Sequence, residues 1–76
     1  MDTIIKVLIV DDHKLISQAW SALLNDAPSI SVVGIADTEE SAYDTAVSLR
    51  PDIILMDINL GSGSGIEAAI KINNTL

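Results

Sequence analysis

Three aspartates carry the chemistry that this chain can do. Asp57 follows an unbroken apolar run, Ile53-Ile54-Leu55-Met56, bounded by Pro51 before it and the glycine-serine stretch Gly61 to Gly65 after it. Asp11 and Asp12 close a second such run, Ile4 to Val10. Carboxylates brought within a few ångströms repel one another and raise each other's pKa unless a cation or a shared proton joins them. An all-oxygen ligand set selects a hard cation, and Mg²⁺ characteristically combines one or two carboxylates with water and phosphate oxygens. Such a cluster suits phosphoryl transfer, with Asp57 as nucleophile and Asp11 and Asp12 holding the metal.

The elements must bring these acids together. Four consecutive apolar residues before Asp57 read as a strand covered on both faces, as in parallel sheets. Ile4 to Val10 is rich in β-branched residues and reads as another buried strand. Ile30 to Ala36 is a third, and Ser31 and Gly34 suit it to an edge. Between them, Leu15/Ile16, Ala19/Trp20 and Leu23/Leu24 recur four apart and predict a helix over 14–25 with that stripe buried. Asp37 and Glu40 predict a capping box for a second helix whose buried stripe is Ala42/Tyr43, Ala46/Val47 and Leu49, stopped by Pro51. Ser64 and Glu67 predict another ahead of Ile66, Ala69, Ile70 and Leu76. The order β-α-β-α-β-α predicts an α/β fold, a parallel sheet with right-handed crossovers. A 2-1-3 strand order would set the first and third strands side by side and bring Asp11, Asp12 and Asp57 to one edge, at the carboxyl ends of the strands where such sheets bind ligands.

Composition narrows the partners. Eleven acids against four bases give a formal charge of -7, which repels phosphate backbones and anionic lipid and argues against direct nucleic-acid binding by this segment. With 49% apolar residues, one Trp, one Tyr and no Phe, the core must be aliphatic. No cysteine is present, so there is no disulfide and no thiolate ligand, in keeping with a cytoplasmic protein. The run Ile4 to Val10 is too short for a membrane span.

The motifs Leu8-Ile9-Val10-Asp11-Asp12-His13, Pro51-Asp52-Ile53-Ile54-Leu55-Met56-Asp57 and Gly65-Ile66-Glu67 together resemble the receiver domain of two-component response regulators. The resemblance implies a doubly wound, flavodoxin-like sheet, a class whose 2-1-3 order is already established, so the order is not an independent derivation. It implies that Asp57 accepts phosphate from a histidine kinase, that Asp11 and Asp12 with Asp57 bind Mg²⁺, and that the backbone carbonyl of Asn59 completes the metal site. The Asp-Asp-His opening is similar to receivers joined to a DNA-binding output domain. Gly61 stands where the family usually has proline, and Ser64 where Asp or Asn is commoner. By this resemblance residues 1–76 are the N-terminal part of a receiver. The family's later Ser/Thr switch residue and phosphoryl-contacting lysine have no counterpart here, and Lys71 cannot replace that lysine by position.

Plainer roles stand beside these. Asp12 is suited to cap the first helix. His13, the single histidine, is expected to face solvent, and Trp20 and Tyr43 to lie in or against the core. Two other functions compete with the receiver: an aspartyl-phosphate hydrolase of the haloacid dehalogenase kind, which usually has Asp where this chain has Asn59, and a truncated, non-catalytic interaction module. A third strand left at the sheet edge would favour self-association through that strand, as a dimer.

Overall fold

A computed structural model of the chain describes residues 3–57, 59–60 and 63–76. Among them run β1 (Ile5–Val10), α1 (Lys14–Asn25), β2 (Ile30–Ala36), α2 (Glu39–Leu49), β3 (Ile53–Met56), β4 (Asn59–Leu60), β5 (Gly63–Ser64) and α3 (Gly65–Thr75). The β-branched runs are the strands and the four-spaced stripes are the helices, as expected. The three long strands form one parallel sheet in the order β2-β1-β3. Gly61 lies outside the described residues. The flanking β4 and β5 pair antiparallel through Asn59 with Ser64 and Leu60 with Gly63, a small hairpin where the sequence predicts only a loop.

The register of the sheet sets the packing. Leu8 and Val10 lie level with Ile54 and Met56, so the four share one face. There Leu8, Val10, Ala36, Ala42, Ala46 and Ile72 form the buried core, with Tyr43, Ile54 and Met56 packed against it. α2 and α3 therefore cover this side. Gly34 permits close approach: a Cβ there would meet Thr45 Cγ2 at 3.2 Å and Leu49 Cδ1 at 3.4 Å. Beside it the β1–β2 register shifts between Val7 and Leu8.

The opposite face is thinly covered. Ile9 and Val7 of the central strand are buried, but Ile53 and Leu55 on the same face of edge strand β3 are 48% and 36% exposed. The expectation of a third strand covered on both faces is thus corrected: β3 is covered on one. α1 lies on this side, and its expected buried stripe is also overturned. Leu15 is 82% and Trp20 46% exposed, and Ile16 and Leu23 are open as well. The helix rests on buried Ser17, whose hydroxyl is satisfied by the Lys14 carbonyl at 3.0 Å. In α3 the buried positions are Gly65, Ala68 and Ile72, while Ile66, Ala69, Ile70 and Leu76 are exposed. α3 packs chiefly against α2, and Ile72 joins Leu8 and Val10 in the core.

The helix caps differ in detail from the sequence reading. Thr38, one residue past Asp37, caps α2, its Oγ1 accepting the Ser41 N–H at 3.0 Å. Ser64 caps α3 as expected, accepting the Glu67 N–H at 3.4 Å. The reciprocal bond comes from elsewhere: the Ser64 N–H donates to Glu39 Oε2 of α2 at 3.3 Å. α2 ends before Pro51 on Arg50, which takes the left-handed conformation at φ 47° and ψ 63° that residues with a Cβ adopt at some cost.

Candidate functional site

β1 and β3 deliver their acids to one place. Val10 is level with Met56, so each strand ends at the same height. The Asp11 N–H donates to the Ala36 carbonyl at 3.0 Å and the Asp57 N–H to the Val10 carbonyl at 2.8 Å. The backbone ladders thus run one residue past the strands and hold the main chain of both aspartates. One ligand atom from each of Asp11, Asp12, His13 and Asp57 lies within 4.8 Å of all the others.

The structure brings together the three acids singled out in the sequence and adds His13. The imidazole is 61% exposed, as expected for a solvent-facing residue, yet its Nδ1 is turned inward. It lies 2.8 Å from Asp11 Oδ1, 3.1 Å from Asp12 Oδ1 and 3.7 Å from Asp57 Oδ2. The same Asp11 oxygen accepts the His13 backbone N–H at 2.8 Å. That backbone bond, more than the ring, holds the Asp11 carboxyl below its ordinary pKa. The hydrogen bond to Asp11 and then the charge of Asp12 raise the His13 pKa above its ordinary value. His13 occupies the N-cap position of α1 but makes no side-chain capping bond. The N-cap position thus falls on His13 instead of Asp12, and the local turn is closed by Asp11.

Two hollows flank the acids. One, of about 370 Å³, is lined by Ile9, Ile16, Trp20, Leu55, His13 and Asp57 and joins the polar edge to the open apolar face. The other, of about 310 Å³, places Lys14, Ser17 and Asp37 beside Asp11 and Asp12. Asp37 follows β2 as Asp11 follows β1, and it lies at this same edge instead of serving as the α2 cap. Asn59 opens β4 two residues after Asp57. Lys71 is remote from the acids on the other side of the sheet, its Nζ 4.6 Å from the centre of the Tyr43 ring.

The donor set fits a divalent cation. Three carboxylates are enough to ligate Mg²⁺ while leaving positions for water and phosphate oxygens. The Nδ1 of His13 faces the charge that they concentrate.

Comparison with known proteins agrees with this geometry. A sequence model of the family described as "Response regulator receiver domain" matches residues 7–75. Response regulator GacA of Pseudomonas syringae pv. syringae is 41% identical over 68 residues, 90% of this chain and 32% of that protein. A protein-glutamate methylesterase/protein-glutamine glutaminase of Syntrophus aciditrophicus is 44% identical over 68 residues, again 90% of this chain but 19% of the relative. The chain thus spans a third or less of the length of these curated relatives. The solved response regulator domain of Thermotoga maritima CheB superimposes with a TM-score of 0.90 at 35% identity, covering 93% of this chain and 53% of that one.

Proposed function

Because the chain belongs to the response regulator receiver family, we propose that it is a phosphoacceptor, not an enzyme in its own right, and that Asp57 takes the phosphoryl group from a histidine kinase. The observation that supports this most directly is the meeting of Asp57 with Asp11 and Asp12, delivered by separate strands to one sheet edge. In the step proposed, a carboxylate oxygen of Asp57 attacks phosphorus, the N–P bond of the phosphohistidine breaks, and the imidazole leaves with the bond's electron pair. Asp11, Asp12, Asp57 and the Asn59 backbone carbonyl would hold Mg²⁺, which when bound supplies charge neutralisation at the phosphoryl oxygens. The backbone bonds to Ala36 and Val10 hold the main chain beneath the Asp11 and Asp57 carboxylates. We read residues 1–76 as the N-terminal part of the receiver, in the cytoplasm; no helix among the described residues is long and apolar enough to cross a membrane.

Intact-mass measurement after incubation with acetyl phosphate and Mg²⁺ tests this reading. A single phosphoryl adduct on the wild type and none on Asp57→Asn is expected; an adduct that survives the substitution would remove Asp57 from its role.

A second element of the reading concerns assembly. The exposed Ile53 and Leu55 on edge strand β3, continuous with Trp20 and Ile16, favour self-association through that strand. Sedimentation velocity should show a concentration-dependent dimer, with emission from the single Trp20 moving to the blue as it forms. A monodisperse monomer at high concentration with unchanged emission would contradict it.

A further inference from the structure

We propose that Glu39, at the head of α2, is a positioning residue for the metal site: its carboxylate anchors the Ser64 end of the β4–β5 hairpin and, through the hairpin, sets the main-chain carbonyl of Asn59. The inference rests on the reading of Asn59 as a backbone ligand beside Asp11, Asp12 and Asp57, and adds to it a residue that acts through another residue's backbone.

The connection is short. The Ser64 N–H donates to Glu39 Oε2 at 3.3 Å, and Ser64 lies level with Asn59 in the antiparallel pair. A level pair in such a ladder either exchanges both of its N–H···O bonds or turns its main-chain groups outward. Ser64 spends its N–H on Glu39, so this pair is the outward kind, and the Asn59 carbonyl is not spent on β5. The bond that Glu39 accepts and the carbonyl that a cation would take thus belong to opposite flanks of one rung.

The hairpin needs such an anchor. Its strands are two residues each, and even longer two-stranded ribbons are marginal in water. A metal ligand, by contrast, has to be held within about 0.5 Å of its working position. Ser64 is fixed from two sides: its hydroxyl accepts the Glu67 N–H at 3.4 Å and joins it to α3, while its own N–H joins it to α2. The first bond is an ordinary helix cap; the second crosses to another helix. Glu39 is partly buried where its neighbour Glu40 is exposed. Both stand in the first turn of α2, where a carboxylate favours the helix N-terminus. Glu39 reaches the hairpin as well, so Glu40 is the control for charge and helix alike.

The test is Mg²⁺ binding by calorimetry to the whole chain, in wild type, Glu39→Ala, Glu39→Gln and Glu40→Ala, with the carbonyl ¹³C resonance of Asn59 followed alongside. Glu39→Ala removes the acceptor and should weaken Mg²⁺ about tenfold, as loss of the support behind a ligand does. Glu40→Ala removes the same charge from the same turn and should stay within about twofold, since exposed charge is screened. Glutamine keeps an oxygen acceptor without the charge, so Glu39→Gln should return binding to within about threefold of wild type. At equal occupancy Mg²⁺ should displace the Asn59 carbonyl resonance in wild type and Glu39→Gln, and less in Glu39→Ala. Coupling is reciprocal, so saturating Mg²⁺ should slow exchange of the wild-type Ser64 amide about tenfold, and more than that of the Ser41 amide, which Thr38 holds within α2. This last measurement requires no variant to fold. A Glu39→Ala chain that binds Mg²⁺ as wild type does, a glutamine that fails to rescue, or a Ser64 amide no better protected than Ser41 overturns the proposal and leaves the metal site standing. Mg²⁺ that binds without moving the Asn59 carbonyl overturns it too, and takes Asn59 out of the ligand set. A wild type that takes up no Mg²⁺ overturns both readings.

Discussion

The amide of Asp57 donates to the carbonyl of Val10 at 2.8 Å, so the residue that follows β3 is held by the residue that ends β1. The nucleophile's backbone is thereby fixed independently of its carboxylate. Asp57→Asn should therefore keep the fold, with a stability within about 1 kcal/mol of wild type. Urea unfolding followed by circular dichroism measures this. A collapse of the transition would show that the side chain, and not the ladder, organises the edge.

The caps separate two neighbouring residues that sequence reasoning confused. Thr38→Ala removes the oxygen that accepts the Ser41 N–H and should cost about 1 kcal/mol. Asp37→Ala, outside the cap, should stay within about 0.5 kcal/mol. Equal losses from the two would return the capping role to Asp37.

In the metal-free protein the contact between His13 and Asp11 has a defined pH window. The folded His13 pKa is raised above its ordinary 6.5, chiefly by the hydrogen bond to Asp11, so its contribution to stability is complete below that value and is lost as pH rises through the raised one. The folded Asp11 pKa is lowered from 3.8, chiefly by the His13 N–H, so its contribution is present above 3.8 and is lost as pH falls through the lowered one. An NMR titration of the single imidazole should have its midpoint above 6.5, moving down in Asp11→Asn. A wild-type midpoint at or below 6.5 would show that the ring does not hold this place in solution.

Gly34 gives a graded series. An alanine Cβ at 3.2 Å from Thr45 Cγ2 requires Thr45 to yield by a few tenths of an ångström. Valine adds two methyl groups between β2 and α2 and should cost about 1–3 kcal/mol. Chemical denaturation of both variants should place valine well below alanine; the reverse order would mean that α2 can move off the sheet without loss.

Local pattern and its limits explain what could be read in advance. Strand and helix bounds were legible because the apolar runs end at Asp11, Asp37 and Asp57, because Pro51 stops the second helix, and because Leu15 to Leu24 has helical spacing. Convergence of Asp11, Asp12 and Asp57 followed from the parallel order. The side of α1 that faces the sheet did not, since periodicity reports that a stripe is apolar and is silent on whether anything covers it; Ser17, a polar residue, is the buried one. The same blindness misplaced the stripe of α3, where Ala68 and Ile72 pack while Ile66 and Ile70 do not. Strands of two residues, β4 and β5, are too short for alternation to register. His13 was read as a bystander, although Asp11 two residues earlier is spaced to accept its N–H, and that local bond is what turns the ring toward the acids.

The unequal cover on the two sides of the sheet grades how easily its parts open. β1 is hydrogen-bonded to neighbours on both flanks, and its buried Leu8 and Val10 are sealed by α2 and α3, so its amides should exchange with deuterium only when the whole molecule unfolds. α1, seated on a serine, can lift away at far smaller cost and uncover Ile9 beneath it. The helix that begins at the acidic edge should thus open more readily than the strand that leads into Asp11.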